Sequence, residues 1–406
     1  MKILHTADWH IGKKLQKHDL YADFDLFIGW LCETIEEEEI DLLLVSGDVF
    51  DLANPSSEAR SQYYRSLMAL RKLDCKIILT GGNHDSPAML DAPKELLREL
   101  DMHVIGGLPE NLEEVIIPVQ NKKGKTEILI AALPYLRDAD LRGASEGITY
   151  DDRIEAIRQG IQNTFESAGD ICKREYPGIP ALAMGHLYTA GIEPSESERD
   201  IQIGNQAAFE ASRFGEFFNY IALGHIHKPQ RVNAAVPAFY SGSPIPLSFS
   251  ERSDEKRVLI LDTEKGWDPE SVAIPPFRRL LKVTGSIGQL KHKLEFLEDE
   301  GHLDSLIEVE LIEDQYDAHK IYQLDELVTN FHKPGYEIVK HRASFKQKLS
   351  GASELYDEQQ QLEDLKPKDV FTELIAGHEY DEETKKEIMS AFDEILEEVQ
   401  HQQNAG

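Results

Sequence analysis

Apolar residues in this chain follow two periods. Short runs rich in Ile, Leu, Val or Ala occupy Met1 to Leu4, Asp41 to Ser46, Cys75 to Thr80, Ile179 to Met184 and Tyr220 to Leu223. Each suits a strand buried on both faces. Between them the spacing becomes helical. Leu20, Phe24, Phe27, Ile28, Leu31 and Ile35 share one face, Ala59, Tyr63, Leu67 and Leu70 a second, and Ile154, Ile157, Ile161 and Phe165 a third. Such faces are core that packs on a sheet, so the pattern predicts an open α/β architecture.

Farther along, Ala234 to Asp262 reads as short strands and turns punctuated by Pro237, Pro244 and Pro246, and the pair Pro275-Pro276 marks a boundary. Beyond it, Leu280 to Val283, Leu306 to Leu311 and Tyr336 to His341 are strand-like, while Ser286 to Glu300 and Ala318 to Phe331 are helix-like. The expected organisation is a main domain over 1–275, a small α+β domain over 276–348 and a helical tail over 349–406. In the tail, Val370, Phe371, Leu374 and Ile375 line one face, and Ile388, Phe392, Ile395, Leu396 and Val399 line another behind Asp381 as N-cap. Two short helices cannot fully bury these faces on each other. They pack back on the body or dock on a partner.

Each of the five apolar runs leads into a polar string: Asp8-Trp-His10, Gly47-Asp48, Gly82-Asn83-His84-Asp85, Gly185-His186 and Gly224-His225-Ile-His227. Ligands of open α/β sheets gather just beyond the carboxyl ends of the strands, and these strings sit there. A glycine before Asp48, Asn83, His186 and His225 suits a chain that turns sharply where a Cβ has little room. Singly, a Gly-Asp or Gly-His pair is an ordinary turn, Asp8-x-His10 is an ordinary cap, and each His can be a satisfied core residue. All five in order after strand-like runs point to a metal site.

Carboxylates, imidazoles and one amide oxygen suit Mn²⁺, Fe²⁺ or Zn²⁺, with Mn²⁺ expected. Mg²⁺ alone favours oxygen-only sets, and structural zinc favours thiolates. The three cysteines, Cys32, Cys75 and Cys172, lie apart from every string, which excludes a thiolate centre and a disulfide framework. An Asp can bridge two cations while the remaining ligands divide between them, the clamp that in-line attack on phosphorus requires.

At 406 residues, 41% hydrophobic, the chain can bury a large core in two or three domains. The start carries no signal-peptide pattern and no apolar stretch approaches a membrane span, so a reduced, cytoplasmic protein is expected. The net charge of -31 sits awkwardly with a nucleic-acid substrate, but residues 351–406 alone hold 16 acidic against 4 basic residues. Basic groups cluster elsewhere, at Lys13, Lys14 and Lys17, at Arg278, Arg279 and Lys282, and at Lys333, Lys340, Arg342, Lys346 and Lys348. Each cluster is either a solvated face or a phosphate contact.

The set and order of strings resemble the calcineurin-like metallophosphoesterase superfamily. Lys2 to Gly12, Ser46-Gly-Asp-Val-Phe-Asp51, Thr80 to Ser86 and Ser241-Gly-Ser-Pro244 are similar to its SbcD-type nucleases, a resemblance that covers most of the chain. It implies a four-layer α-β-β-α sandwich, with Ala234 to Asp262 in the second sheet, a capping domain beside the cleft and the helical tail. It also implies that Asp8, His10, Asp48 and His227 hold one divalent ion and that Asp48, Asn83, His186 and His225 hold the other. His84 then assists the leaving oxygen, and Asp85 either orients His84 or stabilises a turn. Where archaeal and eukaryotic members carry His, this chain has Asp51, so a phosphate contact is not carried over and a loop or supporting role is expected there.

The implied activity is metal-dependent hydrolysis of DNA, as a 3′ to 5′ exonuclease on double-strand ends and an endonuclease on single strands and hairpins. The implied assembly is a homodimer within a heterotetramer, with Phe371, Leu374, Phe392 and Leu396 of the tail on the coiled coil of an SbcC-type ATPase. Phosphomonoesterases and cyclic-nucleotide phosphodiesterases share the constellation and remain rivals, as does a non-catalytic regulatory subunit.

Overall fold

The computed structural model describes residues 1–141, 150–193, 208–298 and 302–345. The tail, with Phe371, Leu374, Phe392 and Leu396, and Lys346 and Lys348 lie outside the described residues. Two compact units emerge: one holds Met1–Lys282, Glu298–Glu308 and His332–Lys340, the other Val283–Leu297, Val309–Phe331 and the described residues from His341.

In chain order the first unit contains β1 (Lys2–Thr6), the short pair β2 (Lys14–Leu15) and β3 (His18–Asp19), β4 (Leu42–Ser46), β5 (Lys76–Thr80), β6 (Met102–Ile105), β7 (Ile116–Gln120) and β8 (Thr126–Ala132). It continues with β9 (Ala181–His186), β10 (Tyr220–Gly224), β11 (Gln230–Val232), β12 (Ala238–Tyr240), β13 (Arg257–Asp262) and β14 (Glu270–Ala273). Its helices are α1 (Tyr21–Glu37), α2 (Ser57–Leu70), α3 (Pro87–Asp91), α4 (Lys94–Arg98), α5 (Asp138–Leu141) and α6 (Tyr150–Glu175).

Two six-stranded sheets form, in the orders β14-β13-β1-β4-β5-β6 and β11-β12-β10-β9-β8-β7. Alternation along the strands assigns each residue to a layer. Leu42 and Leu44 of β4 join Ile128 and Ile130 of β8 and Leu182 and Met184 of β9 in the core between the sheets. Leu43 and Val45 face the other way, with Phe24, Phe27 and Leu31 of α1 and Tyr63 and Leu67 of α2. On the far side of the second sheet, Leu129, Ala183 and Leu223 pack with Ile157, Ile161 and Phe165 of α6. The result is the expected α-β-β-α sandwich, and the continuous apolar runs are explained by two buried faces. Ser56 caps α2 by accepting from the Ala59 N–H at 3.1 Å, worth about 1 kcal/mol.

One expectation is corrected. Of Ala234 to Asp262, only Ala238–Tyr240 pairs in the second sheet; Arg257–Asp262 runs antiparallel to β1 in the first, with Leu4 opposite Ile260. The edge of β1 would otherwise leave a row of N–H and C=O groups unpaired. No period in the sequence reports which edge a late strand will cover.

The segment after Pro276 has the elements its pattern predicts: β15 (Leu280–Gly285), α7 (Ile287–Glu295), β16 (Ser305–Glu313), α8 (Ala318–Thr329) and β17 (Tyr336–Phe345), the strands pairing in the order β15-β16-β17. A reciprocal cap between Ser286 and Gln289 starts α7, and the helix stops at Glu295 rather than Glu300. Among the described residues no helix is long and apolar enough to cross a membrane.

Candidate metal centre

The parallel strands β1, β4 and β5 end together, as do β9 and β10, so the five polar strings leave the two sheets at one end. Ser46 Oγ donates to the Ala222 carbonyl oxygen at 3.1 Å and joins the sheets beneath that end. The ladder between β1 and β4 continues past the strands: Asp8 N donates to Gly47 O (3.1 Å), His10 N to Asp48 O (2.9 Å) and Ile11 N to Val49 O (2.9 Å). Two strings far apart in sequence are thereby held in register.

The backbone is strained where it carries these side chains. Seven non-glycine residues among those described have positive φ, and four are candidate ligands: Asp8 (53°), His10 (45°), Asp48 (47°) and His225 (102°). Each costs on the order of 1–2 kcal/mol and persists because the surrounding structure enforces it. A Cβ at Gly82 would run into Asp48, and one at Gly224 into the Ser46 carbonyl, which is why these loops need glycine.

All seven candidate ligands come together. His186 Nδ1 donates to the Ser46 carbonyl oxygen at 3.0 Å, so in the neutral ring Nε2 carries a lone pair. That lone pair lies 2.9 Å from Asn83 Oδ1 and 3.2 Å from Asp48 Oδ2, and His225 Nδ1 is also 2.9 Å from Asn83 Oδ1. Asp48 Oδ2 is also 3.5 Å from His10 Nε2, so one oxygen faces a ring nitrogen from each sheet. The rings of His10 and His227 are 4.9 Å apart, and those of His10 and His84 4.8 Å. Asp8 Oδ2 and His10 Nε2 are buried with no hydrogen-bond partner. Buried acceptors aimed at one another are costly unless a proton or cation sits among them. The donor set, imidazole nitrogens with carboxylate and amide oxygens, fits two divalent cations.

Local charge follows the same geometry. Burial works against ionisation of Asp48, yet His186, His84 and His10 hold its carboxyl well below the usual range. Burial raises Asp8 and lowers His10 to about 4 and His225 to about 3. His186 behaves oppositely: burial favours the neutral ring, but the charge and hydrogen bond of Asp48 lift it to about 9.

Asp85 does not orient His84. Its carboxylate accepts from the backbone N–H groups of Val49 (3.0 Å), Phe50 (2.9 Å) and Gly82 (2.8 Å) and so pins the Asp48 loop to the Asn83 loop. Burial and the charge of Asp48 raise it to about 6. The His84 ring instead donates from Nδ1 to the Asp51 carbonyl oxygen at 2.8 Å. Asp51 braces a second ring, its Oδ1 lying 3.3 Å from His10 Nδ1 and 3.0 Å from Lys13 Nζ. Burial works to raise its carboxyl, and the His10 and Lys13 contacts bring it to about 2.

Sequence reasoning missed Glu251. Its Oε1 accepts from His227 Nδ1 at 3.2 Å and its Oε2 from Lys256 Nζ at 2.6 Å, all buried. The stretch Ser250 to Lys256 is dense in charge and reads as a surface loop; the one available signal was its closeness to Ser241-Gly-Ser-Pro244. The basic clusters divide as well. Arg278 is buried and bound through Nε and Nη2 to Asp23 at 2.7 and 2.9 Å, so it is neither a solvated nor a phosphate-facing group. Lys340 pairs with Glu308 at 2.9 Å and Arg342 with Glu310 at 3.1 Å.

Residues 1–229 match the family described as calcineurin-like phosphoesterase, and residues 276–379 match one described as type 5 capsule protein repressor C-terminal domain. The chain is 38% identical over 287 residues to the SbcD subunit of the nuclease SbcCD from Rhodobacter capsulatus, covering 68% of this chain and 69% of that one. It is 30% identical over 331 residues to the Bacillus subtilis SbcD, covering 80% and 82%, and 29% identical over 404 residues to that of Escherichia coli K12, covering 98% of each. Since the phosphoesterase match holds every residue of the cluster and these relatives continue far beyond it, the chain belongs to the calcineurin-like phosphoesterase family, within its SbcD group.

Proposed function

We propose that the chain is the nuclease subunit of an SbcCD-type complex and hydrolyses DNA phosphodiesters at the cluster around Asp48. The observation that carries this reading is the convergence of an imidazole nitrogen from each sheet, His10 Nε2 and His186 Nε2, on the single oxygen Asp48 Oδ2. Asp8, His10, Asp48 and His227 hold one divalent ion, and Asp48, Asn83, His186 and His225 the other, with Mn²⁺ favoured by the mixed donors. Ions bound there supply Lewis acidity that activates water and offsets charge developing on phosphorus.

The chain's own residues do the rest. Asp48 stays anionic and shared between the two ligand sets. His84 lies half-buried beside His10, and its Nδ1 is committed to the Asp51 carbonyl, so Nε2 is the atom that can give a proton to the departing oxygen. Near-full-length similarity to the SbcD proteins supports a DNA substrate over a phosphomonoester or cyclic nucleotide. The finer activity is 3′ to 5′ exonuclease action on double-strand ends and endonuclease action on single strands and hairpins, in the cytoplasm. The partner is a coiled-coil ATPase of the SbcC type, which docks Phe371, Leu374, Phe392 and Leu396 of a homodimeric nuclease.

The test is purified full-length chain with Mn²⁺ or Mg²⁺ on labelled hairpin DNA, beside a panel of nucleotide monophosphates and cyclic nucleotides. DNA should be cleaved, far better with Mn²⁺; turnover confined to the nucleotides would sink the reading. Truncation after Leu349 should leave single-strand cleavage intact and abolish binding to the ATPase.

A further inference from the structure

Behind His227 lies an ion pair that the hydrolytic reading leaves without a task. Glu251 is fully buried and Lys256 is 5% exposed. Glu251 Oε1 accepts from His227 Nδ1 (3.2 Å) and Ser248 Oγ (3.3 Å); Oε2 accepts from Lys256 Nζ (2.6 Å), Leu247 N (3.1 Å) and Ser243 Oγ (3.3 Å). Lys256 Nζ also donates to Ser243 Oγ at 2.9 Å and to the carbonyl oxygen of His227 at 3.1 Å. An ammonium has three protons, and here it meets three acceptors. A buried pair is tolerated on such terms, with both charges compensated and hydrogen-bonded.

The pair grips one residue at two points: Glu251 holds the His227 ring and Lys256 holds its backbone. A pair that merely tied the Ser243 turn to the following loop would have no reason to converge on an imidazole. We infer that Glu251, clamped by Lys256, is a positioning residue of the metal centre. It fixes His227 in the tautomer with the proton on Nδ1, turns Nε2 toward the cluster, and makes that nitrogen a stronger ligand by pulling on the opposite N–H. This rests on the reading of His227 as a ligand, and the experiment separates the two.

Mn²⁺ titration calorimetry on the full-length chain compares wild type with Glu251→Gln, the charge-balanced double variant Glu251→Gln/Lys256→Met, and His227→Ala. The expected result is two ions in wild type, one lost in His227→Ala, and one bound roughly 10- to 100-fold more weakly in both Glu251 variants. The Mn²⁺ concentration for half-maximal DNA cleavage should rise by the same factor. Wild-type affinity for both ions in a folded Glu251 variant overturns the inference while leaving His227 a ligand; two tight ions in His227→Ala overturn the reading beneath it. Imidazole ¹⁵N spectra of metal-free wild type decide the matter even where a variant does not fold. The His227 signal should show the proton on Nδ1, and a proton resident on Nε2 overturns the inference.

Discussion

His10 and His227 lean on carboxylates, whereas His186 leans on a peptide carbonyl. Asp51 and Glu251 face the Nδ1 atoms of the first two rings at 3.3 and 3.2 Å, and Ser46 O accepts from His186 Nδ1 at 3.0 Å. A carboxylate pulls on the ring proton and strengthens the ligand nitrogen; a carbonyl fixes direction with less effect on basicity. The carbonyl also belongs to the end of β4, beside the bond from Ser46 Oγ to Ala222 that joins the sheets. One side of the cluster is thus tuned by side chains that single substitutions can remove, and the other is set by the spacing of two sheets.

The residue common to both sides gives the largest effect. Asp48→Ala should remove both ions and reduce cleavage to background, because its Oδ2 is near His10 on one side and His186 on the other. Metal content by mass spectrometry after dialysis checks it, and one ion retained with activity would break the sharing. His84 has a ligand atom within 4.8 Å of those of His10 and Asp48, but in the proposed function it takes the acid's role instead of a ligand's. His84→Gln should therefore keep both ions and lose roughly 10²- to 10⁴-fold in rate, about 3–5 kcal/mol of barrier. An emptied site in that variant would make His84 a ligand and undo its role as acid.

How this cluster could be read from sequence, and where reading stopped, follows from the same division. Runs such as Leu42 to Val45, apolar on both faces, declare strands, and the polar residues just past them declare a site, because that signal is local and periodic. Supports were not legible. Glu251 sits in a charge-rich stretch and is nevertheless buried, since its value depends on His227 and Lys256, and no period links them. Asp85 follows His84 in sequence, yet its oxygens turn to three amides because buried donors of the Asp48 loop need acceptors more than an already paired ring does. Arg278 looked like part of a basic face until the fold supplied Asp23, 255 positions away.

Asp51→Asn tests the carboxylate that braces His10. The amide can still accept from His10 Nδ1, and the backbone carbonyl that holds His84 is untouched, so only the charge is lost. Affinity for one Mn²⁺ should fall on the order of 10-fold while turnover at saturating metal stays close to wild type. A large loss of turnover at saturation would mean that Asp51 acts on the reacting groups and not through His10.

The smallest effect is one of pH, and it singles out His186. In the metal-free protein His186 is lifted to about 9, so at pH 8 its ring carries a proton that a cation must displace from Nε2. His10, lowered to about 4, and His225, lowered to about 3, are already neutral and release nothing there. Mn²⁺ affinity at the His186 position should therefore weaken as pH falls below 9, by up to about 10-fold per unit for one displaced proton. Burial raises Asp8 as well, so its proton adds to the slope at lower pH. Calorimetry in buffers of different ionisation enthalpy counts the protons directly: about one should leave at pH 8, and the number should grow toward pH 6. Binding that releases no proton at pH 8 would show that Asp48 does not hold His186 protonated in the metal-free protein.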